Sequence, residues 1–380
     1  MNPRYQQELE ELSKRGNLRS LRATRVLPGG RAEYEGRVYL NFSGNDYLGV
    51  AADPELRAAF FERYRHDLPL LASTGSRLLG GDAPEHELLE SELAKLYGRP
   101  VLAFNSGYHA NVGILPALTC RNSTVFSDKL NHASIIDGLR LCEGEFKRYP
   151  HLDYDRLEEW LAAATADGRE CFIVSESVFS MDGDFADLVK LVELKKKYNA
   201  MLVVDEAHAA GVTGGGRGLA AQLDVADGVD VLVGTLGKAF GSMGSYAVVG
   251  ETLRDYLVNT MRPFIFSTAL PPMTALWSAF VIEHCGEFES RRQYLAKLCD
   301  EVRAKVAASG YRTLGESQIV PAVAGENAAA LALAEKCRSA GLLVFAVRPP
   351  TVPVGTARLR FSLSAAHPEE TPDLIGKALR

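Results

Sequence analysis

The chain has 380 residues, more than one domain usually contains, and its hydrophobic content of 47% and charged content of 24% are ordinary for a globular protein. Its net charge of -6 argues against general nucleic-acid binding, for which a basic balance is typical. The N-terminal stretch lacks the apolar segment of a signal peptide, and no apolar run approaches the roughly 18 residues of a membrane span. We therefore expect a cytoplasmic protein with neither nucleic acid nor membrane as a partner.

The first predicted element is a helix over residues 3–15, with Asn2 as its cap and Gly16 as its end. The segment around its end is unusual for an acidic protein, because residues 12–32 contain basic side chains and no acidic one. Two interpretations stay open: a solvated arm, or a surface that contacts an anionic substrate. The basic residues are Lys14, Arg15, Arg19, Arg22, Arg25 and Arg31.

From residue 84 onward, helical stretches alternate with short apolar runs. Residues 84–97 predict a helix that begins at Pro84 and ends before Gly98, with leucines on one face. Short apolar runs between helices are typical of a mostly parallel sheet covered on both faces, so the sequence predicts an α/β fold. The predicted strands are 101–104, 171–176, 201–205, 230–234 and 246–249, with a helix at 184–198.

The pattern changes after Pro271 and Pro272. A long helical stretch at 273–309 is followed by a smaller strand–helix–strand pattern, which predicts a second, α+β domain. Its strands are predicted at 318–323, 342–347 and 357–363, with a helix at 327–341. The predicted parts are an N-terminal arm (1–40), a large ligand-binding domain (41–272) and a small C-terminal domain (273–380).

The six cysteines lie far apart and form no CxxC pair. Such spacing predicts buried thiols in a reducing compartment and neither a disulfide framework nor a zinc site, so no metal is expected. The cysteines are Cys120, Cys142, Cys171, Cys285, Cys299 and Cys337.

Polar residues follow the predicted strands at the point where each strand ends. Ligands of a parallel sheet bind beyond the carboxyl ends of its strands, so these residues predict a site at one edge of the sheet. They are the segments 105–109, 178–183 and 205–208, together with Thr235 and Lys238.

Each of these residues has an ordinary interpretation when it is considered alone. Asp205 could cap a helix, His208 could be a core histidine, and His132 could be polar surface. Gly107 and Tyr108 could form a simple turn, or they could begin a helix whose N-terminus binds phosphate. The residues become specific only as a set.

As a set, they suit pyridoxal 5'-phosphate. This cofactor needs an amine for its aldehyde, an acid for its ring nitrogen and donors for its phosphate. Lys238, Asp205 and the helix that begins near Gly107 would supply these groups. The small residues of TLGKAFGSMGS (235–245) leave room around Lys238 for a cofactor and a substrate.

Longer motifs, in order from about residue 19 to residue 363, resemble the α-oxoamine synthases, which are pyridoxal-phosphate enzymes with the aspartate-aminotransferase fold, or fold type I. The resemblance implies a large, mostly parallel-sheet cofactor domain, a smaller C-terminal α+β domain and a homodimer. The motifs are NFSGNDYLG (41–49), TGSRLLGG (74–81), SGYHAN (106–111), DKLNHAS (128–134), ESVFSMDGD (176–184), VDEAHAAG (204–211), TLGKAFG (235–241) and RPPTVPVGTARLR (348–360).

The resemblance also implies a role for each matching residue. Lys238 would form a Schiff base with the cofactor and later move protons, Asp205 would hold the proton of the ring nitrogen, and His132 would stack on the ring beside the substrate. The remaining cofactor contacts would be His208 and Ser180 near the phenolic oxygen, and Gly107, Tyr108 and Thr235 at the phosphate. Arg360 would bind the carboxylate of the amino acid, and Arg19 and Thr351 would contact the acyl substrate. The catalytic residues would be Lys238, His132, Asp205 and His208.

Within the family, RPPTVPVGTARLR favours L-alanine and a pimeloyl thioester as substrates. The implied reaction condenses L-alanine with pimeloyl-CoA or a pimeloyl carrier protein and releases CO2, which gives 8-amino-7-oxononanoate for biotin biosynthesis. The alternatives are glycine with acetyl-CoA or succinyl-CoA, as in 2-amino-3-ketobutyrate CoA ligase and 5-aminolevulinate synthase, or serine with a long acyl-CoA. A nucleotide-dependent oxidoreductase is disfavoured because no GxGxxG follows the first strand, and we interpret the glycine-rich segment 211–218 as a mobile loop.

Overall fold

Short strands alternate with helices in the structure, a computed structural model that describes residues 3–380, so Asn2, the predicted helix cap, lies outside the described residues. The alternation confirms the predicted α/β class. The strands are β1 (Thr24–Leu27), β2 (Arg31–Tyr34), β3 (Arg37–Asn41), β4 (Val101–Phe104), β5 (Ser123–Asp128), β6 (Glu145–Tyr149), β7 (Glu170–Glu176), β8 (Met201–Asp205), β9 (Val231–Thr235), β10 (Ser245–Val248), β11 (Ile319–Gly325), β12 (Leu342–Leu343), β13 (Ala346–Val347) and β14 (Ala357–Ser362). The helices are α1 (Pro3–Lys14), α2 (Pro54–Tyr64), α3 (Pro84–Tyr97), α4 (Gly107–Leu118), α5 (Ala133–Leu141), α6 (Tyr154–Ala166), α7 (Leu188–Tyr198), α8 (Leu219–Gln222), α9 (Glu251–Thr260), α10 (Arg262–Ile265), α11 (Pro272–Glu283), α12 (Glu289–Ala308), α13 (Asn327–Ser339) and α14 (Thr371–Leu379).

Strands β4 to β10 form a seven-stranded sheet in the order β4-β10-β9-β8-β7-β5-β6. Neighbouring strands are parallel except at β10, which is antiparallel to both β4 and β9. The predicted mostly parallel sheet is therefore confirmed. Strands β5 and β6 were not predicted, because β5 mixes buried serine and threonine with apolar residues and β6 is an edge strand with mostly exposed side chains.

An apolar core joins this sheet to helix α4. Leu102, Ile114 and Phe172 are each at most 1% exposed in this core, and burying one such side chain contributes about 1.5–3 kcal/mol. The helix approaches its neighbours closely at Gly113, where an added Cβ would lie 2.3 Å from Cε of Met261. A larger residue at this position would have to displace the Met261 side chain.

Two smaller sheets contain the strands from the two ends of the chain, in the orders β1-β2-β3-β12 and β11-β14-β13. The segment 342–347, predicted as one strand, contributes to both sheets: β12 is parallel to β3, and β13 is antiparallel to β14. The chain changes sheets at Phe345, whose ring packs edge-on against Tyr34 at a centroid distance of 5.9 Å.

The helical stretch predicted at 273–309 is interrupted. A 3-10 turn at Cys285–Phe288 separates α11 from α12, and it contains Gly286, which disfavours a continuous helix. Nδ1 of His284 lies 2.7 Å from the Phe280 carbonyl oxygen, and this bond satisfies one of the last carbonyl groups of α11.

The chain divides into two compact units. The small-sheet unit comprises the residues up to Ala52, Met181–Asp184 and Gln293–Arg380, and the large-sheet unit comprises Asp53–Ser180 and Phe185–Arg292. N-terminal and C-terminal residues thus form one unit. The three ranges 1–40, 41–272 and 273–380 stay a prediction.

The six cysteines are free thiols, and Cys171, Cys285, Cys299 and Cys337 are buried. The prediction of buried thiols is wrong for Cys120, which is exposed because it lies in the turn between α4 and β5, and Cys142 is only half-buried. Over residues 3–380, no three His, Cys, Asp or Glu side chains are grouped so that they could hold a metal ion. No helix in that range combines the length and the apolar character needed to cross a bilayer.

Candidate active site

The carboxyl ends of β4, β7, β8 and β9 lie at one edge of the seven-stranded sheet, because β4 and β9 both run antiparallel to β10. Strand β8 ends at Asp205 and β9 ends at Thr235, while α4 begins at Gly107, shortly after β4. The large-sheet unit contains every residue predicted to contact the cofactor, namely Gly107, Tyr108, His132, Ser180, Asp205, His208, Thr235 and Lys238.

The amine of Lys238 lies in the turn after β9 and contacts a histidine from the turn after β8. Its Nζ is 2.8 Å from Nε2 of His208, which is 6% exposed, whereas Lys238 is half-buried. The two turns approach closely at Gly211, where an added Cβ would lie 2.6 Å from Cβ of Ala239. The φ of Gly211 is +83°, a second reason for glycine at this position. The amine is therefore accessible and has a defined partner.

Hydrogen bonds hold the Asp205 carboxylate in place. Its Oδ1 accepts from the Ala207 amide over 2.8 Å, and its Oδ2 accepts from Nδ2 of Asn111 over 2.7 Å. The Asn111 amide also donates to the Ser134 hydroxyl over 3.0 Å, and that hydroxyl lies 2.8 Å from Nδ1 of His132. One network thus joins α4, the end of β8 and the start of α5. Neither Asn111 nor Ser134 was predicted as a site residue, although both stand in the motifs quoted above.

A buried acid, Glu176, ends β7 directly beside Asp205. The two residues are paired between β7 and β8, Glu176 is 2% exposed, and its Oε1 has no hydrogen-bond partner among the described residues. Burial, followed by the negative charge of Asp205, raises the pKa of Glu176 well above its usual range. We conclude that Glu176 is a neutral acid next to the Asp205 carboxylate. Glu176 was not predicted as a site residue. The feature of the sequence that could have indicated it is an acidic residue at the end of an apolar strand.

Replacing Glu176 with glutamine is expected to stabilise the cofactor-free protein at high pH. The raised pKa means that the folded protein keeps a proton that the unfolded chain releases above about pH 4.3, so the stability falls as the pH rises toward the folded-state pKa. Glutamine has no such proton to lose. We expect the unfolding temperature at pH 8 to rise by about 2–4 °C, the shift that 1 kcal/mol produces, and the gain to shrink toward pH 5.

Glu193→Gln on the exposed surface of α7 is the matched control for this measurement, and its effect is expected to stay within about 0.5 kcal/mol. If Glu176→Gln leaves the unfolding temperature at pH 8 unchanged or lower, then the Glu176 carboxyl is ionised in the folded protein and our assignment is wrong.

The N-terminus of α4 is suited to an anion. Ser106 caps this helix, since its Oγ accepts from the His109 amide over 3.3 Å. The amides of Gly107 and Tyr108 have no acceptor within the helix, and a Cβ added to Gly107 would meet no heavy atom within 4 Å. The space beside the first residue of the helix is therefore open, which suits a phosphate at the helix N-terminus. Tyr108 is 48% exposed, and its hydroxyl donates to Asp137.

Thr235 is the last residue of β9, and Ser180 lies in the turn that follows β7. The Thr235 hydroxyl donates to the Gly244 carbonyl over 3.1 Å and accepts from the Gly237 amide over 3.3 Å, so it shapes the turn that carries Lys238. Ser180 is half-buried and lies between Val178 and Phe185, which form an isolated antiparallel bridge. Contact of either hydroxyl with the cofactor stays a prediction.

Three residues predicted to bind substrate belong to the small-sheet unit. The guanidinium of Arg360 on β14 lies 3.2 Å from Oδ1 of Asn45 and 3.4 Å from the Tyr47 hydroxyl. Nη2 of Arg19 donates to the Thr351 hydroxyl over 2.8 Å. These contacts orient both guanidinium groups, while their roles in binding substrates stay predictions.

The chemistry of the large-sheet unit fits pyridoxal phosphate. Lys238 offers an amine, Asp205 offers a carboxylate that is 7% exposed, and the start of α4 offers amide donors. The geometric observation in favour of this fit is the open space beside Gly107, since a phosphate there would meet the helix N-terminus without displacing a side chain.

Comparisons with known proteins agree with this chemistry. The family model of aminotransferase class I and II matches residues 37–379. A relative from Chlorobaculum parvum, named 8-amino-7-oxononanoate synthase, is 48% identical over 98% of this chain and 97% of its own length. The chain belongs to the 8-amino-7-oxononanoate synthase family. A relative from Pasteurella multocida, named putative 8-amino-7-oxononanoate synthase, is 47% identical over 95% of this chain and 94% of its own length.

Solved structures confirm the aspartate-aminotransferase-like fold. A serine palmitoyltransferase from Sphingomonas wittichii has a TM-score of 0.91 at 30% identity and covers 100% of this chain and 96% of its own. A serine palmitoyltransferase from S. paucimobilis, with a TM-score of 0.91 at 28% identity over 99% of this chain and 95% of its own, carries a pyridoxal-phosphate–myriocin aldimine. An 8-amino-7-oxononanoate synthase from Francisella tularensis has a TM-score of 0.75 at 29% identity and covers 90% of this chain and 96% of its own. The higher TM-scores of the palmitoyltransferases describe the backbone path. Substrate choice depends on side chains, which the 48% identity to the Chlorobaculum parvum relative compares directly.

Proposed function

We propose that this protein is a pyridoxal-phosphate-dependent acyltransferase that condenses L-alanine with a pimeloyl thioester in biotin biosynthesis. The products are 8-amino-7-oxononanoate, CO2 and the free thiol. The observation that carries the chemistry is the 2.8 Å contact between Nζ of Lys238 and Nε2 of His208, at the sheet edge where β8 ends at Asp205. The substrates follow from the name of the relatives that are 47–48% identical.

Three groups would hold the cofactor: the Lys238 amine at its aldehyde, the Asp205 carboxylate at its ring nitrogen, and the α4 N-terminus at its phosphate. When bound, the cofactor supplies an electron sink that stabilises negative charge at the α-carbon of the amino acid. The Asn111 and Ala207 donors keep the Asp205 carboxylate oriented for this task. His208, Ser180, Tyr108 and Thr235 would add polar contacts, as the family resemblance implies.

The chain's own residues would move the proton and bind the substrate. The Lys238 amine would take the α-proton of alanine and later return a proton to the product after CO2 leaves. Arg360 would bind the alanine carboxylate through two parallel hydrogen bonds, with Asn45 orienting its guanidinium group. Burial lowers the pKa of His132, so its ring is neutral near pH 7 and presents a face for stacking.

A crossed panel of substrates tests the proposal. Thiol release is measured with L-alanine, glycine and L-serine, each with pimeloyl-, acetyl-, succinyl- and palmitoyl-CoA. We expect kcat/KM to be highest for L-alanine with pimeloyl-CoA, by at least about tenfold over each other pair. A maximum for serine with palmitoyl-CoA, or for glycine with a short acyl-CoA, would replace the substrate assignment and keep the cofactor chemistry.

The proposal also includes a homodimer in the cytoplasm, which rests on the family resemblance. The acyl donor is a pimeloyl thioester of either CoA or a carrier protein. Repeating the thiol-release assay with a pimeloyl carrier protein at equal concentration compares the two donors directly, and the sedimentation velocity of the purified protein measures the number of subunits.

A further inference from the structure

The glycine-rich segment 211–218, predicted as a mobile loop, has hydrogen bonds within itself in the structure. The Gly211 amide donates to the Gly216 carbonyl over 2.9 Å, and Ala210 and Arg217 form an isolated antiparallel bridge across its ends. The segment follows the turn after β8, and two buried charged side chains of the large-sheet unit bind it, one at each end. The proposed mechanism uses neither of them.

The first of these side chains is the Glu206 carboxylate, which binds the residues after Gly218. It accepts from the Leu219 amide over 3.0 Å and from the Ala220 amide over 2.8 Å, and the Ser177 hydroxyl donates to it over 2.6 Å. A Cβ added to Gly218 would lie 2.8 Å from Cδ of Glu206, so glycine leaves room for the carboxylate here. Burial raises the pKa of Glu206, and its three donors oppose this shift, since they stabilise the charged form. Because all three partners are donors, a side-chain amide at this position would turn its NH2 group toward one of them.

The second side chain is the Arg292 guanidinium, which binds the start of the segment. Its Nε donates to the Gly211 carbonyl over 2.8 Å, and its Nη2 donates to the Cys285 carbonyl over 2.7 Å. Its Nη1 donates to Glu289 over 3.2 Å, so the buried charge has a partner. A Cβ added to Gly216 would lie 2.8 Å from Nη2, and glycine there lets the guanidinium approach the backbone. Donation to several separate acceptors suits arginine, and lysine replaces it only in part.

The segment contacts the turn that carries Lys238 at Gly211. This residue lies so close to Ala239 that an added Cβ would be 2.6 Å from the Ala239 Cβ. Arg292 therefore fixes, through the Gly211 carbonyl, how the turn after β8 lies against the turn after β9. These turns carry His208 and Lys238, whose contact of 2.8 Å lies within the narrow range of a hydrogen bond, so a shift of about 1 Å would break it.

We propose that Glu206 and Arg292 are positioning residues, which hold the glycine-rich segment fixed and thereby keep His208 against the Lys238 amine. This role rests on the proposed function and deepens it, because it identifies what orients the amine that would bond the cofactor. When the segment is released, the amine is expected to lose its partner and to react more slowly with the cofactor. A mobile loop would show no such dependence.

Nitrogen NMR of the cofactor-free protein with isotope-labelled histidine tests the contact itself. The His208 signal, identified as the one missing from His208→Ala, should shift in Lys238→Ala because its Nε2 loses the amine. Arg292→Met should shift the same signal in the same direction, and Arg292→Lys should shift it less. Arg217→Gln, which removes an exposed guanidinium of the same segment, should leave the signal in place. An unchanged His208 signal in Arg292→Met would overturn the proposal.

Glu206→Gln serves as the second variant if Arg292→Met does not fold, because glutamine keeps the shape of the side chain and leaves Arg292 in place. It should shift the His208 signal in the same direction as Lys238→Ala does. A folded Glu206→Gln protein with the wild-type signal would contradict the role of Glu206.

The rate at which the cofactor-free protein bonds added pyridoxal phosphate, trapped with borohydride, tests the consequence for the amine. Arg292→Met and His208→Ala should each lower this rate about tenfold or more. If Arg292 acts through His208, the double variant should be no slower than His208→Ala alone, whereas independent effects would multiply to about 100-fold. Multiplied effects would overturn the proposal, because Arg292 would then act on the fold as a whole.

The two measurements separate this proposal from the proposed function. If the wild-type protein forms no cofactor adduct at Lys238, yet Arg292→Met and Lys238→Ala shift the His208 signal alike, the proposed function fails and the positioning role stands. If the wild-type protein turns over L-alanine with pimeloyl-CoA, while Arg292→Met leaves the His208 signal and the bonding rate unchanged, the positioning role fails alone.

Discussion

Lys238→Ala is expected to lower the turnover of L-alanine with pimeloyl-CoA by at least about 10³-fold, because in the proposed function Lys238 would be both the amine that bonds the cofactor and the base for the α-proton. The Lys238 amine is half-buried and 2.8 Å from His208, so the variant leaves this histidine facing the vacated space. Borohydride reduction followed by peptide mass spectrometry should find the cofactor on the peptide that contains Lys238 in the wild-type protein, and on no peptide of the variant.

Two controls make this result specific. Lys238→Arg keeps a positive charge next to His208 and lacks the nucleophilic amine, so it should be as inactive as the alanine variant. Lys197→Ala removes an exposed lysine of α7 that pairs with Glu158 and should keep both the reducible adduct and the turnover. A cofactor adduct of normal yield in Lys238→Ala would assign the linkage to another amine.

Asp205→Asn is expected to lower the turnover number about 10²–10³-fold while the cofactor still binds. In the proposed function the Asp205 carboxylate would keep a proton on the ring nitrogen of the cofactor, and an amide at this position could not. The hydrogen bonds of the site also suffer, because Asn111 and Ala207 both donate to Asp205 and the asparagine side chain has one acceptor oxygen. Exchange of the α-hydrogen of alanine for deuterium, followed by NMR, measures this defect without the acyl donor.

The comparison variant is Asp224→Asn. Asp224 is exposed and has a φ of +56°, a conformation that asparagine adopts readily, so this change removes a carboxylate at little structural cost. It should exchange the α-hydrogen at the wild-type rate. If Asp205→Asn also exchanges within about threefold of the wild-type rate, Asp205 does not control the charge of the ring nitrogen.

The elements predicted best are those that the local sequence defines completely. The helix Pro84–Tyr97 and the strands Val101–Phe104 and Met201–Asp205 have the predicted bounds, because proline, glycine or a polar residue stands where each apolar pattern ends. Strand Ser123–Asp128 was missed, although all its residues are buried. Its hydroxyl groups bond residues that are distant in sequence: Ser123, for example, donates to Glu170 over 2.8 Å. The local sequence pattern does not predict such a partner.

The candidate site shows the same division. Residues with reactive side chains, such as Lys238 and Asp205, could be proposed from residue type and motif. The residues around these side chains could not be proposed from the sequence. Asn111 bonds Asp205 although 94 positions of sequence separate them, and Glu176 becomes a neutral acid only when β7 lies beside β8. A pKa and a hydrogen-bond partner are properties of the neighbourhood, which only the assembled sheet defines.

The first turn of α4 constrains which changes evolution can tolerate in this part of the gene. Gly107 begins the turn at the proposed phosphate site, and Asn111, about one turn later, bonds Asp205 at the proposed ring-nitrogen site. A codon inserted or deleted between them would rotate Asn111 by about 100° around the helix and uncouple the two ends of the site. Lineages that keep the chemistry should therefore vary this short stretch by substitution alone, while length changes accumulate in exposed loops such as that around Asp224.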